Sequence, residues 1–276
     1  MENSNIVLLK HHFVNFQDVK NTAFYRNQCP DIDDRIIIDV TSRVVRDKEF
    51  LKEHPNFPKE ISPMYAGPVH TPDGMISNTF EHFWQPSKVY PCFVKDGKVL
   101  PEFFEWRNKW FAKTEVGNKK NSRYPCQELG YQNNEALFTM GYENGEYVPM
   151  PYLLARKKMY FPIYAGLIAN TESYRWMKSL VDSGEKIALL DFDGYNYDSP
   201  EAMKKQYSSY LNKCKREKVE PKYSESDFLK IKCVKDVVDC PFLLAGHGFA
   251  IKMLLQGDIV VDEDGGVSDV TGVLAA

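Results

Sequence analysis

The side chains best able to do chemistry fall in one short stretch, residues 76–91, where aromatic residues surround them. Glu81, Gln85 and Lys88 are spaced i, i+4 and i+7, so a helix that begins at or just before Thr79 would carry all three on one face. Thr79 is a suitable N-cap, and Glu81 would lie in the first turn, where the positive end of the helix dipole favours an ionised carboxylate. Such a carboxylate suits the stabilisation of a developing positive charge rather than the delivery of a proton.

Pro86 weakens that geometry, because a proline in the second turn of a helix removes a backbone donor and kinks or ends the helix. Lys88 then need not stack on Glu81. The plainer interpretation of the same stretch is an amphipathic surface helix that packs its aromatic rings inward and leaves a solvated Glu–Lys pair. The residues alone leave both interpretations open.

The composition is that of a globular protein, since 43 % of the 276 residues are hydrophobic and 26 % are charged. A net charge of −3 argues against a protein that wraps nucleic acid by bulk electrostatics. We predict an α+β fold, a mainly helical single domain around a small β-sheet. No apolar run approaches ~20 residues, and Ile6–Leu9 is too short for a signal peptide, so we expect a cytoplasmic protein with no membrane partner. The six cysteines form no Cys-x-x-Cys pair, which predicts free thiols and no metal site.

Three segments are predicted along the chain. Residues 1–60 form an N-terminal extension packed on the core, with strands at 5–16 and 34–46 that pair with each other. Residues 61–257 form the domain that carries the site, and residues 258–276 form an acidic, flexible tail.

The regular structure of the central segment is mostly helical. The pattern predicts a helix over 99–114 and a core helix over 152–168 that is kinked at Pro162. It also predicts a loop-rich stretch over 117–151 and a strand followed by a short helix over 226–238.

A buried strand over 185–194 ends in the sequence Asp191-Phe-Asp193-Gly. An apolar strand followed by Asp-x-Asp-Gly resembles the nucleophile motif of the haloacid dehalogenase-like phosphotransferases, in which the first aspartate attacks phosphorus, the second acts as acid or base and Mg²⁺ lies beside them. That family places the motif on its first strand, and too little chain follows here for the doubly wound domain it needs. Two other interpretations stay open: the carboxylates cap backbone donors, or they bind ribose hydroxyls.

Gly246, His247 and Gly248 precede an apolar, leucine-rich stretch that is typical of a buried helix. Backbone N–H groups at the start of such a helix favour an anion such as phosphate, and flanking glycines let a ligand approach closely. All three residues are therefore candidates for substrate binding, although a lone histidine is more often structural.

A family resemblance rests on three segments taken together. They are Ser62-Pro-Met-Tyr65, then Thr79-Phe-Glu-His-Phe-Trp-Gln-Pro-Ser-Lys88, then the Gly-x-Gly turn that opens the helix over 246–256. In this order they resemble the NADAR family, which carries a Ser-Asn-Phe-Tyr-like strand, a Ser-Glu-His-Tyr-Tyr-Gln-x-x-Lys-like helix and a Gly-x-Asn-x-Leu-Gly-like helix start. The chain departs from the family at Phe249 and Ala250, where an asparagine is expected.

The resemblance implies an N-glycosidase that acts without a metal or cofactor on phosphorylated ribosides or ADP-ribosylated nucleosides. Glu81 then corresponds to the catalytic carboxylate, Lys88 to the lysine that ends the motif, and Tyr65 to the aromatic residue of the strand. The expected partner is a nucleotide or ADP-ribosyl small molecule, with a modified nucleic acid as a further option.

The chemistry agrees with that implication. Cleavage of a C1–N bond passes through an oxocarbenium-like state, which a fixed carboxylate stabilises while it orients water. The remaining substrate-binding candidates are aromatic residues that can stack on a base, Trp84 and Tyr90, the polar Gln85, and basic residues that can hold phosphate, Arg123 and Arg156. Two alternatives stay open, a Mg²⁺-dependent phosphotransferase that uses Asp191 and Asp193, and a non-catalytic protein that binds or sequesters a nucleotide.

Overall fold

The structure is a computed structural model that describes residues 5–11, 18–41, 48–113 and 125–275. It combines helices with several small sheets, which confirms the α+β prediction. Within the described ranges, no helix combines the length and the hydropathy that a membrane span requires.

The strands are short, and all but three of them belong to antiparallel sheets. They are β1 (Ile6–Lys10), β2 (Ile36–Asp39), β3 (Val69–His70), β4 (Ile76–Ser77), β5 (Lys88–Val89), β6 (Val94–Lys95), β7 (Lys98–Val99), β8 (Phe138–Glu143), β9 (Glu146–Met150), β10 (Ile187–Asp191), β11 (Ile259–Val261) and β12 (Val267–Asp269).

The helices range from single turns to a long polar helix of 18 residues. They are α1 (Ala23–Arg26), α2 (Lys48–Glu53), α3 (Phe57–Ile61), α4 (Phe80–Trp84), α5 (Pro101–Phe111), α6 (Tyr152–Ala155), α7 (Phe161–Ala169), α8 (Glu172–Asp182), α9 (Pro200–Glu217), α10 (Glu225–Leu229), α11 (Val234–Asp239) and α12 (His247–Gln256).

A three-stranded parallel sheet lies at the centre of the fold, in the order β1-β10-β2. Every residue of β10 is buried, because side chains of alternate residues pack on opposite faces of the sheet. One face packs against α12 and the main core, and the other packs against a smaller cluster that includes Tyr25 and Ile32. The predicted pairing of the two N-terminal strands is therefore wrong, since β10 lies between them.

This sheet also removes the expected division at residue 60. β1 and β2 come from the predicted extension 1–60, whereas β10 comes from the predicted domain 61–257. The N-terminal strands are part of the central sheet rather than an addition to it.

The helix expected over 152–168 is interrupted immediately before its proline. A π-helical turn, Arg156–Tyr160, separates α6 from α7, and Pro162 is the second residue of α7. The irregularity expected at Pro162 thus takes the form of this π-helical turn. The wider turn accommodates a proline that cannot donate a backbone hydrogen bond.

Two other segments differ from expectation. In the stretch expected to be loop-rich, β8 and β9 form an antiparallel hairpin, and β8 also pairs with β5. Over 226–238, where a strand followed by a short helix was expected, the first element is the helix α10 and the second is the short helix α11. An acidic side chain three residues into each helix caps its start.

The C-terminal segment is also ordered where a flexible tail was expected. β11 and β12 form an antiparallel hairpin, and Val273 is buried. The Asp269 carboxylate accepts backbone hydrogen bonds from Val273 and Leu274, both at 2.8 Å. An acidic residue can therefore stabilise a regular local structure by accepting backbone hydrogen bonds. The acidic composition of the segment did not reveal this arrangement.

Candidate functional site

Helix α4 begins and ends where its capping residues require. The Thr79 hydroxyl accepts a hydrogen bond from the backbone N–H of His82 at 3.1 Å, as predicted for an N-cap. The backbone N–H of Glu81 donates to the carbonyl of Pro63 at 2.8 Å, which holds the start of the helix on the preceding turn. Pro86 stops the helix at Trp84, so Lys88 lies on β5 and not on the same helix as Glu81.

The turn formed by residues 62–66 therefore positions Glu81 through its backbone. The Tyr65 ring is 49 % exposed, so packing does not fix it beside the buried Glu81 carboxylate. Tyr65 lies two residues after Pro63, whose carbonyl accepts the hydrogen bond from Glu81.

Four side chains form a continuous line of hydrogen bonds, which we call the polar chain: Glu81, Gln85, Lys88 and Asn133. Gln85 Nε2 donates to Glu81 Oε1 at 3.2 Å, and Lys88 Nζ donates to Gln85 Oε1 at 2.7 Å. Lys88 Nζ also donates to Asn133 Oδ1 at 2.8 Å. Since an ammonium group can only donate, both amide oxygens must face Lys88, which fixes the orientation of Gln85 and Asn133.

Glu81 and Lys88 are each only 6 % exposed. The interpretation of this stretch as a surface helix with a solvated Glu–Lys pair is therefore wrong, although its aromatic residues do pack inward. Burial lowers the pKa of Lys88 to about 8, and the nearby charge of Glu81 acts in the opposite direction. The lowered pKa lies close to neutral pH, so the Lys88 amine can gain or lose a proton there.

Aromatic rings surround the acidic end of the polar chain. Tyr160 lies with its ring centroid 5.0 Å from that of Trp84 and 5.0 Å from that of Phe80. Burial raises the pKa of Tyr160 well above its usual value, and the charges of Glu81 and Asp191 raise it further. Within the part of the chain that the structure describes, the Tyr160 hydroxyl has no hydrogen-bond partner.

A cleft of about 730 Å³ opens at the basic end of the polar chain. Lys88 and Asn133 contribute to its lining, with Tyr152 beside them, and the segment Pro241–Leu244 forms an apolar wall. Its size is that of a site for a small organic ligand. Glu81 is not among the lining residues, so it lies behind Gln85 and Lys88 as seen from the cleft.

A second polar cluster, which we call the sheet–helix junction, consists of Asp191, Gly246, His247 and Gly248. The two carboxylate oxygens of Asp191 accept backbone hydrogen bonds from Phe192 at 2.7 Å and from Gly248 at 3.1 Å. His247 Nε2 donates to the carbonyl of Val40 at 2.6 Å and lies 3.6 Å from Asp191 Oδ1. The carboxylate therefore joins the end of β10 to the start of α12.

This arrangement corrects the expectation that the glycine turn receives phosphate. The anion at the start of α12 is the carboxylate of Asp191. A Cβ atom on Gly248 would lie 2.7 Å from Asp191 Oδ2, so the absence of a side chain admits Asp191 rather than a ligand.

Asp193 is exposed, and its Oδ2 atom lies 3.4 Å from the position that a Cβ of Gly246 would take. Among the residues that the structure describes, no three His, Cys, Asp or Glu side chains are grouped as metal ligands. Asp191 thus follows the capping interpretation of the Asp-x-Asp-Gly motif, in which a carboxylate accepts backbone hydrogen bonds at the strand end.

Arg156 does not hold an anion. Its guanidinium is buried and donates to the backbone carbonyls of Val237, Val238, Cys240 and Leu243, where it closes the end of α11. This contradicts the expected phosphate contact, since those carbonyls occupy the Nη donors and the side chain is only 1 % exposed.

Of the three remaining candidate residues, two are buried and one is not described by the structure. Tyr90 is 1 % exposed and stacks on Tyr131 with ring centroids 5.5 Å apart, so its faces are not available to a base. Trp84 is also buried, between Tyr152 and Tyr160. Arg123 lies outside the described residues.

Sequence reasoning missed three residues that the structure places near Glu81 and Lys88: Asn133, Tyr152 and Tyr160. Asn133 lay in the stretch expected to be loop, where nothing distinguished it from its neighbours Gln132 and Asn134. Nothing in the sequence distinguished Tyr160 from Tyr152 and Tyr164 of the same predicted helix.

No protein-family model, curated protein or solved structure matches the chain.

Proposed function

We propose that the protein is an N-glycosidase that hydrolyses the C1–N bond of a nucleotide, an ADP-ribosylated nucleoside or a modified nucleic-acid base. The proposal rests on the resemblance of residues 62–88 and 246–256 to the NADAR family. The observation that carries it is the polar chain, in which a buried carboxylate at a helix start is linked through one amide to a buried lysine that lines a cleft.

In this reaction the C1–N bond breaks and its electron pair leaves with the base, while positive charge develops on the sugar. Glu81 stabilises that charge and orients the water that adds to C1, and the proton released from the water ends on the base or in solvent. The low-dielectric surroundings of Trp84 and Tyr160 strengthen the electrostatic effect of the carboxylate. Because Glu81 does not line the cleft, the sugar has to enter beyond Lys88 to meet it.

The test is base release from a panel of nucleotides, ADP-ribosylated nucleosides and modified DNA, measured in EDTA for the wild type and for Glu81→Gln. We expect metal-independent release that falls by about 10²–10³-fold in Glu81→Gln while the melting temperature is retained. Glu143→Gln, which loses only a surface ion pair with Lys158, is the matched control and should release base at the wild-type rate. No release from any substrate, or release indifferent to Glu81, would refute the proposal.

One observation favours a second candidate, a protein that binds a nucleotide without turnover. Among the residues that the structure describes, the cleft is lined by amide, lysine, hydroxyl, thiol and apolar side chains and by no carboxylate. Such a binder would be stabilised by its ligand with no product formed, and Glu81→Gln would leave its affinity unchanged.

A further inference from the structure

The cleft offers a ligand hydrogen-bond donors at one position in particular. The Asn133 oxygen is occupied by Lys88, so the exposed Asn133 side chain keeps its two N–H donors. The side-chain oxygen of the neighbouring Gln132 is occupied by the backbone N–H of Glu135, which leaves Gln132 with its two N–H donors as well.

Lys88 adds a charged donor to the same wall. Two of its three N–H groups donate to Gln85 and Asn133, and the described residues supply no hydrogen-bond acceptor for the third, although the ammonium also lies 5.5 Å from the centroid of the Trp84 ring. Lys213, which is exposed, adds a positive charge to the lining. Asn133, Gln132 and Lys88 together form a donor-only patch, which pairs with oxygen lone pairs and leaves an N–H of a ligand without a partner.

Another part of the lining is apolar. Tyr152 is 45 % exposed and Leu244 is 60 % exposed, and both contribute large apolar surface to the cleft. Exposed apolar surface inside a concave site is suited to the flat faces of a ring.

We infer that the cleft binds a planar ring whose edge carries a carbonyl oxygen, with the oxygen on the donor-only patch and the ring faces against Tyr152 and Leu244. Identification of the ring as a nucleobase rests on the proposed function. The site then selects oxo bases over amino bases, because an exocyclic amino group would face N–H donors where a carbonyl oxygen accepts from them.

The donor-only patch also suits the charges that develop in the proposed reaction. Glu81 lies at one end of the polar chain and the patch at the other, so positive charge on the sugar and negative charge on the departing base each face a group of opposite sign. Asn133 acts here as a residue that positions Lys88 and binds the base.

The test measures binding instead of turnover, so that its failure is distinct from failure of the proposed function. Dissociation constants of uridine and cytidine 5′-monophosphates, and of inosine and adenosine 5′-monophosphates, are measured by calorimetry on Glu81→Gln. Each pair differs in one oxo or amino group and in the adjacent ring nitrogen, which carries a proton in the oxo member and a lone pair in the amino member. We expect about 10- to 100-fold tighter binding of the oxo member, the size of one hydrogen bond to a charged donor.

Asn133→Asp should remove or reverse that preference, because the new carboxylate accepts from an amino group and repels a carbonyl oxygen. Asn170→Asp, the same change at an exposed position at the end of α7, should leave it unchanged. Equal affinity for both members of each pair, or no binding of either, would overturn the inference, and this comparison in the parent protein does not depend on whether Asn133→Asp folds.

Discussion

The polar chain and the sheet–helix junction each contain a buried carboxylate, and the charges of both carboxylates raise the pKa of Tyr160. They differ in where their hydrogen bonds end. Asp191 accepts from two backbone N–H groups, so its bonding capacity is spent on joining β10 to α12. Glu81 is linked through side chains to Lys88 and Asn133, whose remaining donors belong to a cleft. A buried carboxylate therefore becomes a functional candidate when its partners lead to a ligand-sized space.

The strongest test of this comparison pairs Glu81→Gln with Asp191→Asn. We expect Glu81→Gln to lower base release by about 10²–10³-fold with little change in stability. Asp191→Asn should instead lower the free energy of unfolding by about 1–3 kcal/mol, since an amide cannot accept both backbone N–H groups as the carboxylate does, and leave the rate per folded molecule unchanged. Loss of release in Asp191→Asn with stability retained would reverse the roles of the two clusters.

The next test examines the close packing of the junction. Gly248→Ala should lower the free energy of unfolding by about 2 kcal/mol, because the new Cβ would lie 2.7 Å from Asp191 Oδ2 and 2.9 Å from Asp191 Cβ. Gly246→Ala is the matched control, because the nearest atom to its Cβ is 3.4 Å away. Urea unfolding measures both, and an equal effect of the two substitutions would contradict the packing argument.

A pH series compares the buried lysine of the polar chain with that of α12. Burial lowers the pKa of Lys88 and of Lys252 from 10.5 to about 8, so above pH 8 the unfolded chain binds more protons than the folded chain. The free energy of unfolding should therefore rise between pH 7 and 9, by about 1 kcal/mol for each lysine. At higher pH the buried tyrosines, whose pKa values are raised, act in the opposite direction.

Urea unfolding at several pH values checks this expectation with two variants. Lys252→Met should remove its share of the rise and leave base release unchanged, whereas Lys88→Met should remove its share and abolish release. A stability profile that is flat from pH 7 to 9 in the wild type would show that neither lysine is buried as described.

The smallest expected effect concerns the N-cap of α4. Thr79→Ala should cost about 0.5–1 kcal/mol of stability through loss of the hydrogen bond from His82, and should also lower base release because the cap positions Glu81. Thr171→Ala removes the equivalent bond from Tyr174 at the start of α8, together with the bond from the Thr171 hydroxyl to the Ile168 carbonyl, and should cost at least as much stability with no change in release. Equal base release from the two variants would show that the Thr79 cap does not position Glu81 for the reaction.

Local signals were sufficient for much of the fold and for one part of the site. The Thr79 cap, the end of α4 before Pro86, the interruption before Pro162 and the apolar strand that ends at Asp191 all depend on residues close together in sequence. For the same reason α5 and α12 were predicted close to their observed bounds.

Long-range contacts decided the rest. β10 lies between two strands from the opposite end of the chain, and no local pattern states which strands pair. Tertiary structure likewise gave Arg156 four backbone carbonyls in place of an anion, and gave Asp191 the start of α12.

The sequence by itself determined that Glu81 would lie in the first turn of a capped helix among aromatic residues, because capping and proline geometry act over a few residues. Only the tertiary structure decided that Lys88 would reach Gln85 from a strand and that Asn133, 45 residues further along the chain, would complete the polar chain. The physical reason is that a buried ammonium group requires acceptors, and which acceptors are near depends on how distant segments pack.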